Sequence, residues 1–150
     1  MLSLLYISRV AVAPALWETA LIDIQTVSTA RNGGLDITGL LVATPEWFAQ
    51  LLEGPAENID LVMISILADP RHRDVRIVRR EAKTARRCPL WRLAKFEHGM
   101  FESTYVRPAL ACAHDGTESE PLRQLDRLIE HILMGGHEQQ PKSAVTGRHG

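Results

Sequence analysis

Three polar side chains of this 150-residue chain could do chemistry together: the phenol of Tyr6 and the amides of Asn32 and Gln50. Gln50 lies in the middle of an otherwise apolar run, residues 47–52 of the predicted strand 47–53, which offers its donors and its acceptor oxygen few partners. Something polar should therefore lie against that face, and Tyr6 and Asn32 are available. A phenol is oxidisable and has a mobile proton, whereas an amide both donates and accepts and so has two hydrogen-bond arrangements of similar energy.

Each of these residues also has a simpler explanation when it is taken alone. A single tyrosine in a first strand is usually a core residue. Gln50 by itself would face a polar neighbour across a sheet, and Asn32, directly before Gly33, would be the last residue of a helix. The chemical interpretation therefore depends on the fold bringing the three side chains together.

The composition predicts one domain with a tail, large enough to bury a core. Apolar residues make up 45% of the chain and the formal net charge is −1, which argues against a nucleic-acid partner. No apolar run reaches membrane-spanning length, and the first residues lack the basic start of a signal peptide. We therefore expect no membrane partner and a cytoplasmic setting.

No metal site is expected from the sequence. The two cysteines, Cys88 and Cys112, form neither a metal motif nor a disulfide framework. His131 and His137 are too widely spaced for a helical metal pair, so surface positions are favoured for both.

The first elements follow from the hydrophobic pattern. Residues 2–8 are predicted as a strand that is buried on both faces and therefore central. A helix is predicted over residues 14–32, and Gly33-Gly34 should end it because glycine enters left-handed conformations at little steric cost. The buried face of this helix should consist of its spaced apolar residues: Trp17, Leu21, Ile24, Val27 and Ala30.

The elements that follow complete an α+β fold. Strands are predicted over residues 37–43, 47–53, 74–82 and 90–96, and a second helix over residues 55–68. That helix should bury one stripe: Ile59, Val62, Met63 and Ile66. The order strand, helix, strand, strand, helix, strand, with one extra strand, is typical of the ferredoxin-like sandwich, with both helices on one face of the sheet.

The composition changes after residue 98, and we divide the chain there. Residues 1–98 are predicted to form the main domain, residues 99–136 a C-terminal helical extension and residues 137–150 a disordered tail. Within the extension, residues 101–113 are expected to be weakly structured with at most one short helix, and residues 121–134 to form an amphipathic helix. Its apolar residues should cover the free face of the sheet: Leu122, Leu125, Leu128, Ile129, Ile132 and Leu133.

Five sequence motifs occur in a fixed order along the predicted elements. They are Tyr6 in strand one, Arg31-Asn32 followed by Ile37-Thr38-Gly39, Phe48-Ala49-Gln50-Leu51-Leu52-Glu53-Gly54, Asp69-Pro70-Arg71-His72, and Trp91. Together they resemble the BLUF domain, a flavin-binding blue-light sensor, in its short single-domain form. The resemblance covers about residues 2–97, and its specificity comes from five pieces falling on the elements that the fold requires.

The resemblance implies roles for the matched residues only. The flavin ring would stand between the two helices, with Asn32 bonded to the polar ring edge around the C4 carbonyl and N3. Gln50 would lie between Tyr6 and the flavin N5 and C4 carbonyl. Arg71 and His72 match a pair near the second carbonyl and the flavin side chain.

Three further matches concern the edges of the site. Asp69 matches an acidic residue near the ribityl chain, and Arg31 stands beside Asn32 where the family usually has another residue. Trp91 is the strand-five residue linked to signalling. Leu93 stands where the family often has a methionine, and leucine lacks the thioether acceptor, so transmission through strand five is expected to differ.

The implied activity is a photocycle without net turnover, so no enzyme is expected. Flavin excitation would drive electron and proton transfer from Tyr6 by way of Gln50 and rearrange the hydrogen bonds to the flavin. FAD is the family expectation, although the sequence does not choose among FAD, FMN and riboflavin. Nothing after residue 98 is long enough for a cyclase or phosphodiesterase, so the signal would pass to a separate protein or through a homo-oligomer.

Two alternatives from other functional classes stay open at this point. Acylphosphatases share the fold and use an arginine near strand one together with an asparagine, which Arg9 and Asn32 could mimic. The chain lacks their glycine-rich phosphate loop after strand one. The other alternative is a flavin-free interaction module, and colour distinguishes both alternatives from a flavoprotein.

Overall fold

A computed structural model describes residues 1–116 and 118–135 of the chain. Its strands are β1 (Leu2–Val10), β2 (Thr38–Ala43), β3 (Trp47–Gly54), β4 (His72–Ala82) and β5 (Trp91–Lys95). Its α-helices are α1 (Trp17–Gly34), α2 (Ala56–Ala68), α3 (Arg107–Asp115) and α4 (Ser119–Leu133). A 3-10 turn, Pro14–Leu16, precedes α1, and a π-helical segment, Glu102–Val106, precedes α3.

The five strands form one mixed sheet in the order β4-β1-β3-β2-β5. Strand β1 is antiparallel to both β3 and β4, β2 is antiparallel to β3, and β5 runs parallel to β2. This is the predicted α+β ferredoxin-like arrangement with an extra strand at one edge. The central position predicted for the first strand is confirmed, because β1 has a neighbour on each side.

Helices cover both faces of the sheet. On one face, α1 and α2 pack over two separate apolar clusters, one around Leu52 and Ile59 and the other around Trp17 and Phe48. On the other face, α3 and α4 pack over one continuous cluster that includes Leu51, Leu110 and Ile129. In the part of the chain that the structure describes, no helix is long and apolar enough to cross a membrane.

The predicted buried stripe of α2 is confirmed, since Ile59, Val62, Met63 and Ile66 are its buried residues. The stripe predicted for α1 is right only in its first half. Val27 is 48% exposed and Ala30 is exposed, whereas Ser28 and Asn32 are buried. With about 3.6 residues per turn, a straight stripe that begins at Trp17 reaches Ser28 and Asn32 rather than positions 27 and 30.

The end of α1 also differs from the prediction. Gly33 and Gly34 belong to the helix, and neither has a positive φ. The left-handed residue is Asp36, with φ of 56°. A short polar side chain tolerates this conformation better than most. The turn is closed by the backbone N–H of Ile37, which donates to the Asn32 carbonyl at 2.9 Å.

The C-terminal extension is more regular than expected. Residues 101–113 fall almost entirely in helical structure, where a weakly structured segment had been predicted. The reason is packing: Val106, Ala109, Leu110 and Ala113 are buried against the sheet. Helix α4 buries Leu125, Leu128, Ile129 and Ile132 and part-buries Leu122 and Leu133, as predicted. The tail predicted over residues 137–150 lies outside the described residues.

Candidate functional site

Tyr6 and Gln50 are directly opposite each other in the antiparallel β1–β3 pair. The Tyr6 hydroxyl donates a hydrogen bond of 2.5 Å to Gln50 Oε1. Both side chains are buried, with Tyr6 at 0% and Gln50 at 3% exposure. Burial raises the pKa of Tyr6 far above its ordinary value, and the nearby Arg31 opposes this rise only in part. The phenol therefore keeps its proton at neutral pH and holds it against an amide oxygen.

The sheet register extends this pair into a row across three further strands. Ile77 of β4 lies opposite Tyr6, and Leu41 of β2 lies opposite Gln50. Leu93 of β5 lies opposite Leu41, so one residue separates it from Gln50 across the sheet. Trp91 lies two residues along β5 on the same face, and its buried Nε1 has no hydrogen-bond partner among the described residues.

Asn32 lies near the end of α1 and is 0% exposed. Its Oδ1 accepts a hydrogen bond from Arg31 Nε at 3.1 Å. Its Nδ2 has no partner in the described part of the chain. A buried amide donor without an acceptor costs about 1–3 kcal/mol, so Nδ2 is a donor that an acceptor atom of a bound molecule could satisfy.

Arg71 holds two elements together at the entrance of the site. Its guanidinium donates to both carboxylate oxygens of Asp69 at 2.7–3.1 Å and to Asp23 of α1 at 2.7 Å. Burial alone would raise the pKa of Asp69, but the hydrogen bonds from Arg71 outweigh it and hold that pKa below its usual range. The Arg71–Asp23 pair thereby joins α1 to the loop between α2 and β4.

His72 is wedged between aromatic rings at the start of β4. Its ring centroid lies 5.9 Å from that of Tyr6 and 4.8 Å from that of Phe48. Its Nδ1 lies 2.8 Å from the hydroxyl oxygen of Ser8. Burial lowers the pKa of His72 to about 4, with Asp69 opposing and Arg71 reinforcing the shift, so the imidazole is neutral at pH 7.

A narrow cleft between α1, α2 and the sheet collects most of these groups, and its cavity volume of about 40 Å³ is well below the range of about 300–1,000 Å³ for ligand sites. Its lining residues are Tyr6, Ile24, Val27, Ser28, Arg31, Leu41, Gln50, Ser65, Ile66, Asp69, Arg71 and His72. Six predicted site residues therefore meet here. Asn32 adjoins the cleft through its bond to Arg31, while Trp91 and Leu93 lie on β5 beyond it.

Sequence analysis missed several of the lining residues. Ser28 lies four residues before Asn32, and this spacing places both side chains on one side of a helix. The spacing is therefore a signal from which Ser28 could have been predicted as a site residue. Ser65 has no comparable signal, because a serine next to the buried stripe of α2 is indistinguishable from a surface residue. Ser8 and Asp23, which contact His72 and Arg71, were also missed.

The arginine and asparagine of the acylphosphatase alternative are not brought together. Arg9 lies 4.4 Å over the ring of Trp47 and pairs with Asp74 and Asp115 towards α3. Asn32 lies in α1, on the other face of the sheet. No Arg–Asn phosphate site is formed by these two residues.

Comparison with known proteins identifies the family. The model of the BLUF family, described as sensors of blue light using FAD, matches residues 1–94, well over half of the chain. The chain belongs to the BLUF family. The resemblance drawn from the five motifs is therefore confirmed, and with it the expectation of a flavin-binding, blue-light-sensing domain.

Solved BLUF proteins share the fold over most of their length. BlrB in its dark state has a TM-score of 0.70 and 28% identity, covering 89% of this chain and 96% of that one. BlsA in its photo-activated state has a TM-score of 0.71 and 19% identity, covering 93% and 99% respectively, a likeness of fold alone. These likenesses extend beyond residue 94 and so include part of the C-terminal helices.

Curated relatives match over the sensor segment only. The blue light- and temperature-regulated antirepressor BluF of Escherichia coli (strain K12) is 36% identical over 53 residues, 35% of this chain and 13% of that protein. The photoactivated adenylate cyclase subunit alpha of Euglena gracilis is 38% identical over 52 residues, 35% of this chain and 5% of that protein. The shared segment is thus a small part of each of these longer light-regulated proteins.

Proposed function

We propose that this protein is a blue-light photoreceptor in which Tyr6 and Gln50 form the photoactive pair and FAD is the flavin. The observation that supports this most strongly is the buried bond from the Tyr6 hydroxyl to Gln50 Oε1, in a cleft that adjoins Asn32, whose Nδ2 has no partner among the residues that the structure describes. Burying such polar groups in an apolar core is unfavourable, whereas the carbonyl groups of a flavin ring would supply hydrogen-bond acceptors for them.

Each cleft residue has a part in holding the flavin. Asn32 would donate to the carbonyl at the polar ring edge, and Arg31 orients the Asn32 amide by donating to its Oδ1. Arg71 and His72, which line the cleft, would lie near the second carbonyl and the flavin side chain. Asp69 keeps Arg71 in place through its paired hydrogen bonds, close to the ribityl chain.

The bound flavin supplies blue-light absorption and an acceptor for one electron. Tyr6 would be the donor of that electron and of its phenolic proton, for which the Gln50 oxygen at 2.5 Å would be the immediate acceptor. Both return to Tyr6, so no bond is made or broken overall. The lasting change is in the Gln50 amide, which exchanges one arrangement of its donors and acceptor for another.

The signal leaves through β5 and the C-terminal helices. Leu93 lies in the same row of the sheet as Gln50, and Trp91 lies beside it on the same face. We propose residues 1–98 as the sensing unit and residues 99–136 as the segment that conveys the change to a separate partner protein or a second copy, in the cytoplasm. The chain itself carries out no catalysis in this proposal.

Visible spectra before and after blue light test the proposal. Purified protein should be yellow and show a small red shift that reverses in the dark. Tyr6→Phe and Gln50→Leu should keep the flavin and lose the shift, because the first removes the proton donor and the second removes the amide. Tyr105→Phe is a matched control, since Tyr105 is 62% exposed and lies outside the cleft.

Two results would overturn the proposal in different ways. A colourless protein that also fails to bind added FAD, FMN or riboflavin would exclude the flavin. Normal photoconversion of Tyr6→Phe or Gln50→Leu would keep the flavin and remove that residue from the photoactive pair. Mass spectrometry of the cofactor released by denaturation identifies FAD, FMN or riboflavin directly.

A further inference from the structure

Ser8 is a buried polar residue that has no role in the proposed function as described above. It lies on β1 two residues after Tyr6, so the two side chains are on the same face of the sheet. The residue is 0% exposed. Its hydroxyl contacts Nδ1 of His72 at 2.8 Å, although the two residues are 64 positions apart in sequence.

The donor and the acceptor of this hydrogen bond can be assigned from the hydrogen that each group carries. The Ser8 hydroxyl carries one hydrogen, and among the described residues His72 Nδ1 is its hydrogen-bond partner. If Nδ1 carried the ring hydrogen, it would donate to Ser8 Oγ and leave the hydroxyl hydrogen buried without an acceptor, which is unfavourable. Ser8 therefore donates, and Nδ1 accepts.

The state of the imidazole completes the assignment. Burial lowers the pKa of His72 to about 4, so at neutral pH the ring carries a single hydrogen. With Nδ1 accepting, that hydrogen is on Nε2. The charged groups around the ring do not compete for it, because Asp69 is occupied by hydrogen bonds to Arg71. Within the described residues Nε2 has no partner, and His72 lines the cleft.

We propose that Ser8 is a positioning residue that holds His72 in its Nε2–H tautomer, so that the cleft presents a hydrogen-bond donor to a carbonyl oxygen of the bound ring. The opposite tautomer would present a lone pair to that oxygen and repel it. The inference rests on the proposed function for the identity of the ligand. The tautomer itself is a property of the flavin-free protein.

Long-range ¹H–¹⁵N spectra of flavin-free, ¹⁵N-histidine protein at pH 7 test the tautomer directly. The His72 signals are identified by their loss in His72→Gln. We expect wild-type His72 to be in the Nε2–H form, Ser8→Ala to shift population to the Nδ1–H form, and Ser8→Thr to restore Nε2–H because threonine keeps the hydroxyl. Ser3→Ala is the matched control, because Ser3 is a second buried serine on β1 without this contact.

A second measurement connects the tautomer to the ligand. In flavin-reconstituted protein, the infrared stretch of the ring carbonyl at C2, identified with ¹³C-labelled flavin, should rise in frequency in Ser8→Ala and return in Ser8→Thr. A purely structural role for Ser8 would change melting temperature without moving this band or the tautomer.

Three outcomes would overturn the inference. They are an Nδ1–H tautomer in the wild-type protein, a tautomer unchanged by Ser8→Ala, and an unchanged C2 carbonyl band in a Ser8→Ala protein whose tautomer has shifted. Failure to bind any flavin would overturn the proposed function instead, and the ¹⁵N spectra would still decide the role of Ser8.

Discussion

The two faces of the sheet bury polar groups in opposite ways. On the α3/α4 face, buried charges have complete sets of partners: the Glu53 carboxylate accepts the backbone N–H groups of Arg87 and Cys88, and Glu102 pairs with Arg107. On the α1/α2 face, two buried donors, Asn32 Nδ2 and Trp91 Nε1, have no partner within the described residues. The satisfied groups stabilise the fold, whereas the two unsatisfied donors are the ones that the proposed flavin site uses or adjoins.

The apolar clusters on the two faces of the sheet differ as well. The α3/α4 face has one continuous cluster, as expected where packing density alone is optimised. The α1/α2 face has two clusters, and the polar residues of the cleft lie between them. Substitutions on the two faces should therefore have separable effects, on stability for one face and on the flavin for the other.

The largest change in stability is expected on the α3/α4 face. Ile129 is 1% exposed in α4, so Ile129→Ala should lower the free energy of unfolding by about 2–5 kcal/mol through lost burial and a residual cavity. The flavin red shift of the remaining folded protein should be normal. Ile64→Ala, at a 65% exposed position of α2, should cost within about 0.5 kcal/mol when measured by the same urea titration. Equal costs for the two variants would show that Ile129 is not part of a packed core on the α3/α4 face.

The cleft face should be the more sensitive to acid. The pKa of His72 is about 4 in the folded protein and near 6.5 when unfolded, so between these values the unfolded chain binds a proton that the folded chain does not. The free energy of unfolding should be unaffected above pH 6.5 and should fall as pH drops towards 4, by on the order of 3 kcal/mol. Urea titrations from pH 4 to 7 measure this slope, and it should be shallower in His72→Gln. Identical slopes would show that His72 is protonated equally in both states.

Removal of the unpartnered amide should weaken the flavin site without unfolding it. Asn32→Ala takes away a buried hydrogen bond to the ring edge worth about 1–3 kcal/mol, which corresponds to a roughly 5- to 150-fold rise in the flavin dissociation constant. The dark absorption spectrum should move as well. Thr29→Ala, at an exposed position of the same helix, serves as the control. Unchanged affinity and an unchanged spectrum would show that Asn32 does not bind the flavin and serves only as a residue at the end of α1.

The smallest effect is expected at Leu93, where the two faces are connected through β5. Leu93→Met should cost about 1.5 kcal/mol or less, since the two side chains have similar volume, and should leave the flavin shift intact. The added thioether acceptor should enlarge the light-induced change in hydrogen exchange over residues 88–134. A strong response in the wild-type protein that the methionine does not increase would show that signalling here does not depend on a thioether.

The order of elements, the stripe of α2 and the amphipathic α4 could be predicted from the sequence, because burial of apolar residues repeats with the period of the element. The pairing of Tyr6 with Gln50 was also within reach, since an amide inside an apolar strand requires a polar neighbour. The weak structure expected over residues 101–113 was wrong because α3 is held in place by the sheet more than by its own pattern.

Tertiary structure decided which face of α1 turns inward, and with it the burial of Ser28 and Asn32 in place of Val27 and Ala30. It also decided the contact between Ser8 and His72 and the link from Arg71 to Asp23, which join residues far apart in the chain. The physical reason is that a polar side chain carries no periodic signal of its own burial. Its environment is set by which elements meet around it, and only the folded chain determines that.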